Sequence, residues 1–231
     1  MLMLQLFFID NLTNPVLTGD NAYHADRVLR MKIGEELLVS DGAGSWARCA
    51  ISTISKKIIE LSIIESGFEA EDVKQISVLQ AVPKSDRARE TVELLTASGI
   101  SEIYPWQAQR AIGKESDKWK NAAIEASKQS RRFRIPAVSQ KLDTESAIKI
   151  FKNFDQILIC HETAINKASE VVKPAAKTLI VIGPEGGITD DELAQFVAAG
   201  GEVIKLGRPV LRSAHAGIAA VSAVSALMKV W

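Results

Sequence analysis

Thr178-Leu179-Ile180-Val181-Ile182 is an unbroken apolar and β-branched run that ends abruptly in Gly183-Pro184-Glu185-Gly186-Gly187, and this junction constrains the fold most. A run without alternation is the pattern of a strand buried on both faces, as in a parallel sheet covered by helices. The glycines and proline stop it. Thr189, followed three residues later by Glu192, then forms a capping box, so a helix starts near Asp190. That helix stops at Gly200 and Gly201, a strand is expected over 202–206, a second loop over 207–212, and a small-residue helix over 214–229. Two strands joined through a helix lie parallel, so both loops leave the carboxyl side of one sheet.

The preceding chain carries the same texture. Residues 76–82 read as an apolar strand, 88–98 as a helix ended by Gly99, 102–105 as a short strand, 118–129 as a helix and 156–160 as a strand. Alternating strand and helix predicts one parallel α/β domain over 74–231. Upstream, 4–9, 36–40, 47–54 and 57–63 are short β segments separated by turn residues such as Asp41-Gly42-Ala43-Gly44, which suggests a small β-barrel over 1–70. Between them, 24–30 reads as a helical turn with Arg27 and Arg30 on one face, ended by Gly34. The polar stretch 66–75 lacks an apolar period and reads as the linker.

Composition narrows the function classes. Lys plus Arg equals Asp plus Glu at 28 each, so any nucleic-acid contact must come from local patches. Two cysteines, Cys49 and Cys160, are too few for a disulfide framework, and no Cys/His spacing suggests a metal. No apolar run approaches the ~20 residues of a membrane helix. The apolar N-terminus lacks a basic lead and reaches Asp10 early, so a cytoplasmic location is expected.

In open α/β sheets ligands sit outside the carboxyl ends of the strands. Glycines at 183, 186 and 187 admit close backbone approach, which suits a flat adenine clasped by main chain. The loop lacks the Lys-Ser/Thr of a P-loop and is not Gly-x-Gly-x-x-Gly, and Glu185 would repel a phosphate. A tight strand-to-helix turn without a ligand remains the alternative on residues alone.

The segments LIVIGPEGGITDDEL (179–193) and LGRPVLRSAHAGIAA (206–220) resemble the signature loops of the RsmE family, the ribosomal RNA small subunit methyltransferases E of the SPOUT superfamily. HADRVLRMKIGEE (24–36), AVPKSDR (81–87), AQRAIG (108–113) and EASKQSRRFRIP (125–136) extend the resemblance in order over nearly the whole chain. It implies a PUA-like barrel that holds RNA, followed by a SPOUT-type α/β domain whose chain end passes through a trefoil knot. It also implies S-adenosylmethionine as methyl donor, N3 of a uridine in 16S rRNA as acceptor, the rRNA or small ribosomal subunit as partner, and a homodimer. An Ala- and Gly-rich last helix permits close helix approach, in line with a dimer. The donor would be gripped by Cys160, by Ile182, Gly183, Pro184, Glu185, Gly186 and Gly187, by Leu206 and Gly207, and by Leu211, Arg212 and Ser213. Many relatives carry Leu-Arg-Thr-Glu-Thr-Ala where this chain has Leu211-Arg212-Ser213-Ala214-His215-Ala216, and the usual order of Pro and Arg is exchanged at Arg208-Pro209. A protein of the same fold that binds RNA without catalysis is the alternative those changes raise.

Methylating uracil N3 spreads negative charge onto both carbonyls, which a nearby cation stabilises. Arginine suits the role because its planar fork meets a carbonyl or a phosphate. Arg132 is the first candidate and Arg212 the second; Arg132 reads equally well as one of a basic cluster on phosphates with Lys128, Arg131 and Arg134. His24, Arg27, Arg30, Lys84 and Arg110 complete the expected RNA contacts. His24 reads equally well as a helix cap, and His215 as a general base or a hydrogen-bonded structural residue.

Overall fold

The computed structural model describes residues 4–113 and 116–231. They form two compact units, the first running to Glu71 and recruiting Ser127–Ile135, the second made of Asp72–Ala126 and Pro136–Trp231.

In the first unit β1 (Leu6–Phe8), β2 (Val16–Thr18), β3 (Glu36–Ser40), β4 (Ser45–Ile54) and β5 (Ile58–Phe68) form one sheet in the order β1-β3-β4-β5-β2. The β1–β3 pairing is parallel and the others antiparallel. Ala47, Cys49 and Ile51 fall on one face of β4 at the period of a strand and are buried with Phe7, Leu17, Val39 and Ile59. Asp41 closes the β3–β4 turn, its Oδ1 accepting from the amides of Ala43 at 2.7 Å and Ser45 at 3.1 Å. Register shifts at Arg48/Cys49 and Ile51/Thr53 bend the long hairpin.

Two expectations change here. The segment 66–68 is strand, not linker: Gly67 pairs with Trp46, and a Cβ at Gly67 would sit 2.7 Å from the indole, so this glycine makes room for a ring. The helical turn begins earlier, as α1 (Gly19–Tyr23) running into a π-helical turn over His24–Val28. His24 caps the carboxyl end of α1, its amide donating to the Asp20 and Asn21 carbonyls, and its ring meets Phe7 edge-on, centroids 6.2 Å apart. Arg27 lies in the π turn beside Asp26 at 3.0 Å, whereas Arg30 lies beyond it with φ +56, so they do not share a helix face. Gly34 opens the way into β3, its amide donating to the Ile51 carbonyl.

The second unit holds β6 (Gln75–Ala81), α2 (Ser85–Ala97), β7 (Glu102–Trp106), the start of α3 (Trp119–Ser130), β8 (Ala137–Val138), α4 (Thr144–Ile150), β9 (Gln156–Cys160), α5 (Ala168–Val171), β10 (Lys177–Ile182), α6 (Asp190–Ala198), β11 (Glu202–Ile204) and α7 (Ser213–Met228). Its six strands run in the order β11-β9-β10-β6-β7-β8, every pairing parallel. The expected parallel α/β sheet is present. β10 is central and buried from Thr178 onward, as its unbroken apolar run requires. β11 stops at Ile204, short of the expected 206, and Lys205 to Arg212 is loop. β8, α4 and α5 are additions to the reading from sequence.

Ser127–Ile135 shows why part of this stretch joins the first unit. The end of α3 is a Schellman cap: Arg132 N donates to Ser127 O and Arg131 N to Lys128 O, with Arg131 left-handed at φ +55. Phe133 then stacks on Trp46 with centroids 5.1 Å apart, and the Arg134 guanidinium lies 5.2 Å from the Phe68 centroid.

Candidate active site

The parallel registers align the carboxyl ends of four strands. Ile182 of β10 pairs with Gln80 of β6 and Cys160 of β9, and Cys160 pairs with Ile204 of β11. The loops that follow β10 and β11 therefore leave from neighbouring positions.

The first loop is a tight turn closed by Gly187 N donating to Pro184 O at 2.9 Å, with Gly187 left-handed at φ +76. Gly183 is required for a different reason, since a Cβ there would sit 2.7 Å from Ile188 Cγ1. Arg110 Nη1 donates to the Gly186 carbonyl at 3.2 Å. Behind the turn, the capping box holds the start of α6: Thr189 Oγ1 accepts from Glu192 N, and Glu192 accepts from Thr189 N. Glu192 is buried and also accepts from Gln109 N at 2.8 Å and from Thr144 Oγ1 at 3.1 Å. It thus joins three chain segments beneath the loop. Of these contacts only the cap is local in sequence; Gln109 and Thr144 lie 83 and 48 positions away.

The second loop ends where the Arg212 carbonyl accepts from the amides of His215 at 2.9 Å and Ala216 at 2.8 Å, starting α7. Ser213 Oγ donates to the Gly183 carbonyl at 2.8 Å and accepts from Gln80 Nε2 at 3.0 Å. Both loops are tied at that point.

Two clefts flank this tie. One, with room of about 90 Å³, lies between Cys160, His161 and Glu162 after β9 and Lys205 to Leu211, and is also lined by Ala216. Its Leu206, Pro209, Val210 and Leu211 walls are apolar, and His161, Glu162, Lys205 and Arg208 add polar and charged groups. Burial pushes the Cys160 thiol up to about 12, so it is a neutral wall group and not a nucleophile at neutral pH. The other, with room of about 330 Å³, lies between Lys84, Arg87, Glu90, Ile112, Glu185, Arg212, Ala214 and His215. Glu90 accepts from Arg87 at 2.9 Å and faces His215 at 3.4 Å, and these two contacts, Arg87 first, hold its carboxyl below the usual range.

The residues expected to grip a donor are thus distributed unevenly. Cys160, Leu206, Gly207 and Leu211 line the first cleft; Glu185 and Arg212 line the second; Ile182, Pro184 and Ser213 are buried. Gly183, Gly186 and Gly187 shape the turn between. Among the expected RNA contacts, Lys84 and Arg110 belong to this unit, and His24, Arg27, Arg30, Lys128, Arg131, Arg132 and Arg134 to the other. Arg131 and Arg134 have their Nε protons engaged by the Leu4 and Glu69 carbonyls, at 3.0 and 2.8 Å. Among the described residues no group of His, Cys, Asp and Glu could hold a metal, and no helix is long and apolar enough to cross a membrane.

Residues 70–225 match an RNA methyltransferase domain and residues 17–64 an RNA methyltransferase PUA domain. The ribosomal RNA small subunit methyltransferase E of Mycobacterium bovis is 33% identical, the match covering 98% of this chain and 93% of that protein. The Bacillus subtilis protein of the same name is 28% identical over 90% of this chain and 88% of its own length. A crystal structure of the Neisseria gonorrhoeae enzyme of that name, bound to S-adenosyl methionine, superposes with a TM-score of 0.87 at 25% identity, covering 97% of this chain and 98% of that one. A PUA-like unit joined to a parallel α/β unit, matched over nearly its full length, places this chain in the ribosomal RNA small subunit methyltransferase E family.

Proposed function

We propose that this chain transfers a methyl group from S-adenosylmethionine to N3 of a uridine in 16S rRNA. The observation that carries the reading is the alignment of the β9, β10 and β11 ends, which brings the segments after β9 and β11 to one cleft beside the glycine turn that follows β10. The chemistry of the lining suits the donor: apolar Leu206, Pro209, Val210 and Leu211 for an adenine, Gly207 for close main-chain approach, and the Glu162 carboxylate for hydroxyl or amine groups.

When bound, the donor supplies an electrophilic methyl on a sulfonium. The chain's own residues then have two tasks. Holding acceptor and methyl in line lowers the barrier without any special acid or base. Stabilising the charge that grows on the uracil carbonyls as N3 loses its proton needs a cation, for which Arg132 and Arg212 are the candidates. Arg212 is exposed and lines the cleft adjoining the donor loops; Arg132 is half-buried and stands on the segment after α3. The target base must leave its stack to be reached. The PUA-like unit, with Arg27, Arg30 and Lys128, supplies phosphate contacts. The same reading includes the family's knotted chain end, a homodimer in which the small residues of α7 allow close packing, and a cytoplasmic location where ribosomal subunits are assembled.

The test is a calorimetric titration with S-adenosylmethionine followed by single-turnover methyl transfer. Arg132→Ala should bind donor as the wild type does and lose roughly 10²- to 10³-fold in rate, the worth of one charge-stabilising group. An unchanged rate would refute the Arg132 assignment, and the same pair of measurements on Arg212→Ala decides between them.

A further inference from the structure

Gln80 interrupts the apolar run of β6, and its side chain is fully buried. A buried amide is retained at a cost unless all its hydrogen bonds are made, and Gln80 makes only those of its nitrogen. Nε2 donates to Ala81 O at 3.1 Å and to Ser213 Oγ at 3.0 Å, while Oε1 has no partner. The amide sits against α7 at Gly217, where a Cβ would lie 3.1 Å from Oε1 and 3.0 Å from Leu95 Cδ2. Any larger residue at 217 would displace it.

The consequence lies in proton direction. Ser213 has one hydroxyl proton, and because its oxygen accepts from Gln80, that proton is free to go to the Gly183 carbonyl, as the 2.8 Å bond has it. Gln80 stands in the same cross-strand row as Ile182, at the root of both loops. We propose that Gln80 is a positioning residue: its amide orients the Ser213 hydroxyl toward Gly183 and so ties the loop after β11, which walls the donor cleft, to the turn after β10 in the binding arrangement. A methionine fills the same length without the orphaned acceptor, so the contribution of the amide is to the loops rather than to the core.

This rests on the reading that the cleft takes S-adenosylmethionine, and the experiment separates the two. Donor affinity is measured by calorimetry on the full chain as wild type, Q80M, S213A and the double variant, with KM and kcat for methyl transfer. Each single variant should weaken S-adenosylmethionine binding about fivefold, the worth of one neutral hydrogen bond, and the double variant should be no weaker than either. The change should fall mainly in KM for the donor, with the melting temperature of Q80M at or above that of the wild type. Unchanged donor affinity in Q80M, or single effects that multiply in the double variant, would overturn the role of Gln80. A wild type without donor affinity would instead overturn the reading beneath it. Should Q80M not fold, Q80E runs the same cycle; as a carboxylate it accepts only, draws the Ser213 proton away from Gly183, and should weaken donor binding further as pH rises.

Discussion

Replacing Glu192 by alanine should destabilise the second unit strongly, because one carboxylate serves three chain segments. The carboxylate caps the helix through Thr189, accepts from Gln109 N and Thr144 Oγ1, and is buried. Loss of the cap is worth about 1 kcal/mol. Leaving the Gln109 amide and the Thr144 hydroxyl without their acceptor adds about 1–2 kcal/mol each. The total, about 3–5 kcal/mol, corresponds to a fall of roughly 10 °C in melting temperature for a chain of this size. Thr144 Oγ1 also accepts from Trp106 Nε1 at 3.2 Å, so the loss reaches a fully buried indole in the core. Glu192→Gln, which keeps one acceptor oxygen, should lose about 1–2 kcal/mol. Asp190→Asn, exposed on the same turn, should change stability by less than about 0.5 kcal/mol. Urea unfolding followed by circular dichroism measures all three. A Glu192→Ala midpoint within about 1 kcal/mol of the wild type would show that this network does not hold the loop.

The remaining predictions concern the turns and the thiols. Gly183→Ala brings a methyl to 2.7 Å from Ile188 and should cost about 1–3 kcal/mol while weakening S-adenosylmethionine binding, read by melting and calorimetry. Arg30→Gly relieves a left-handed arginine at φ +56 and should raise stability by about 0.5–1 kcal/mol while lowering affinity for RNA in a filter-binding assay. Burial raises the thiols from an ordinary 9.0 to about 11 at Cys49 and about 12 at Cys160. Because the folded state favours the neutral thiol, their contribution to stability is fully present below pH 9 and is lost as pH rises through the folded values. Unfolding free energy should therefore fall from about pH 9 upward, and alkylation by iodoacetamide at pH 8 should be far slower in the folded chain than in urea.

Local chemistry made part of this molecule readable. The capping box at Thr189 and Glu192 placed α6 within a residue, and the unalternating run to Ile182 identified a central parallel strand. α4 carried an equally local signal that the sequence reading passed over: Asp143 Oδ1 accepts from Ser146 N at 2.8 Å as its N-cap. Other features depend on distant partners. Gly67 reads as a break in a strand until Trp46 is placed across from it. Residues 127–135 read as part of the α/β domain because their attachment to the first unit runs through Trp46, Phe68 and the Gly42 carbonyl, more than sixty positions away. At the site, the glycine loop was visible and the groups that hold it were not. Gln80 reaches a serine 133 positions downstream and Glu192 an amide 83 positions upstream, distances at which no periodicity operates. Arg212 and Glu185, expected on the donor, line the cleft between Lys84, Arg87, Glu90 and His215, whose other walls come from segments far away in the chain.

The central claim is methyl transfer to uridine N3, and one measurement tests it directly. Small subunits from cells lacking this protein are incubated with it and with isotopically labelled S-adenosylmethionine, and the 16S rRNA is digested and mapped by mass spectrometry. The labelled methyl should appear on a single uridine, as N3-methyluridine. Label on another base or another atom, or no label from a chain that binds the donor, would contradict it.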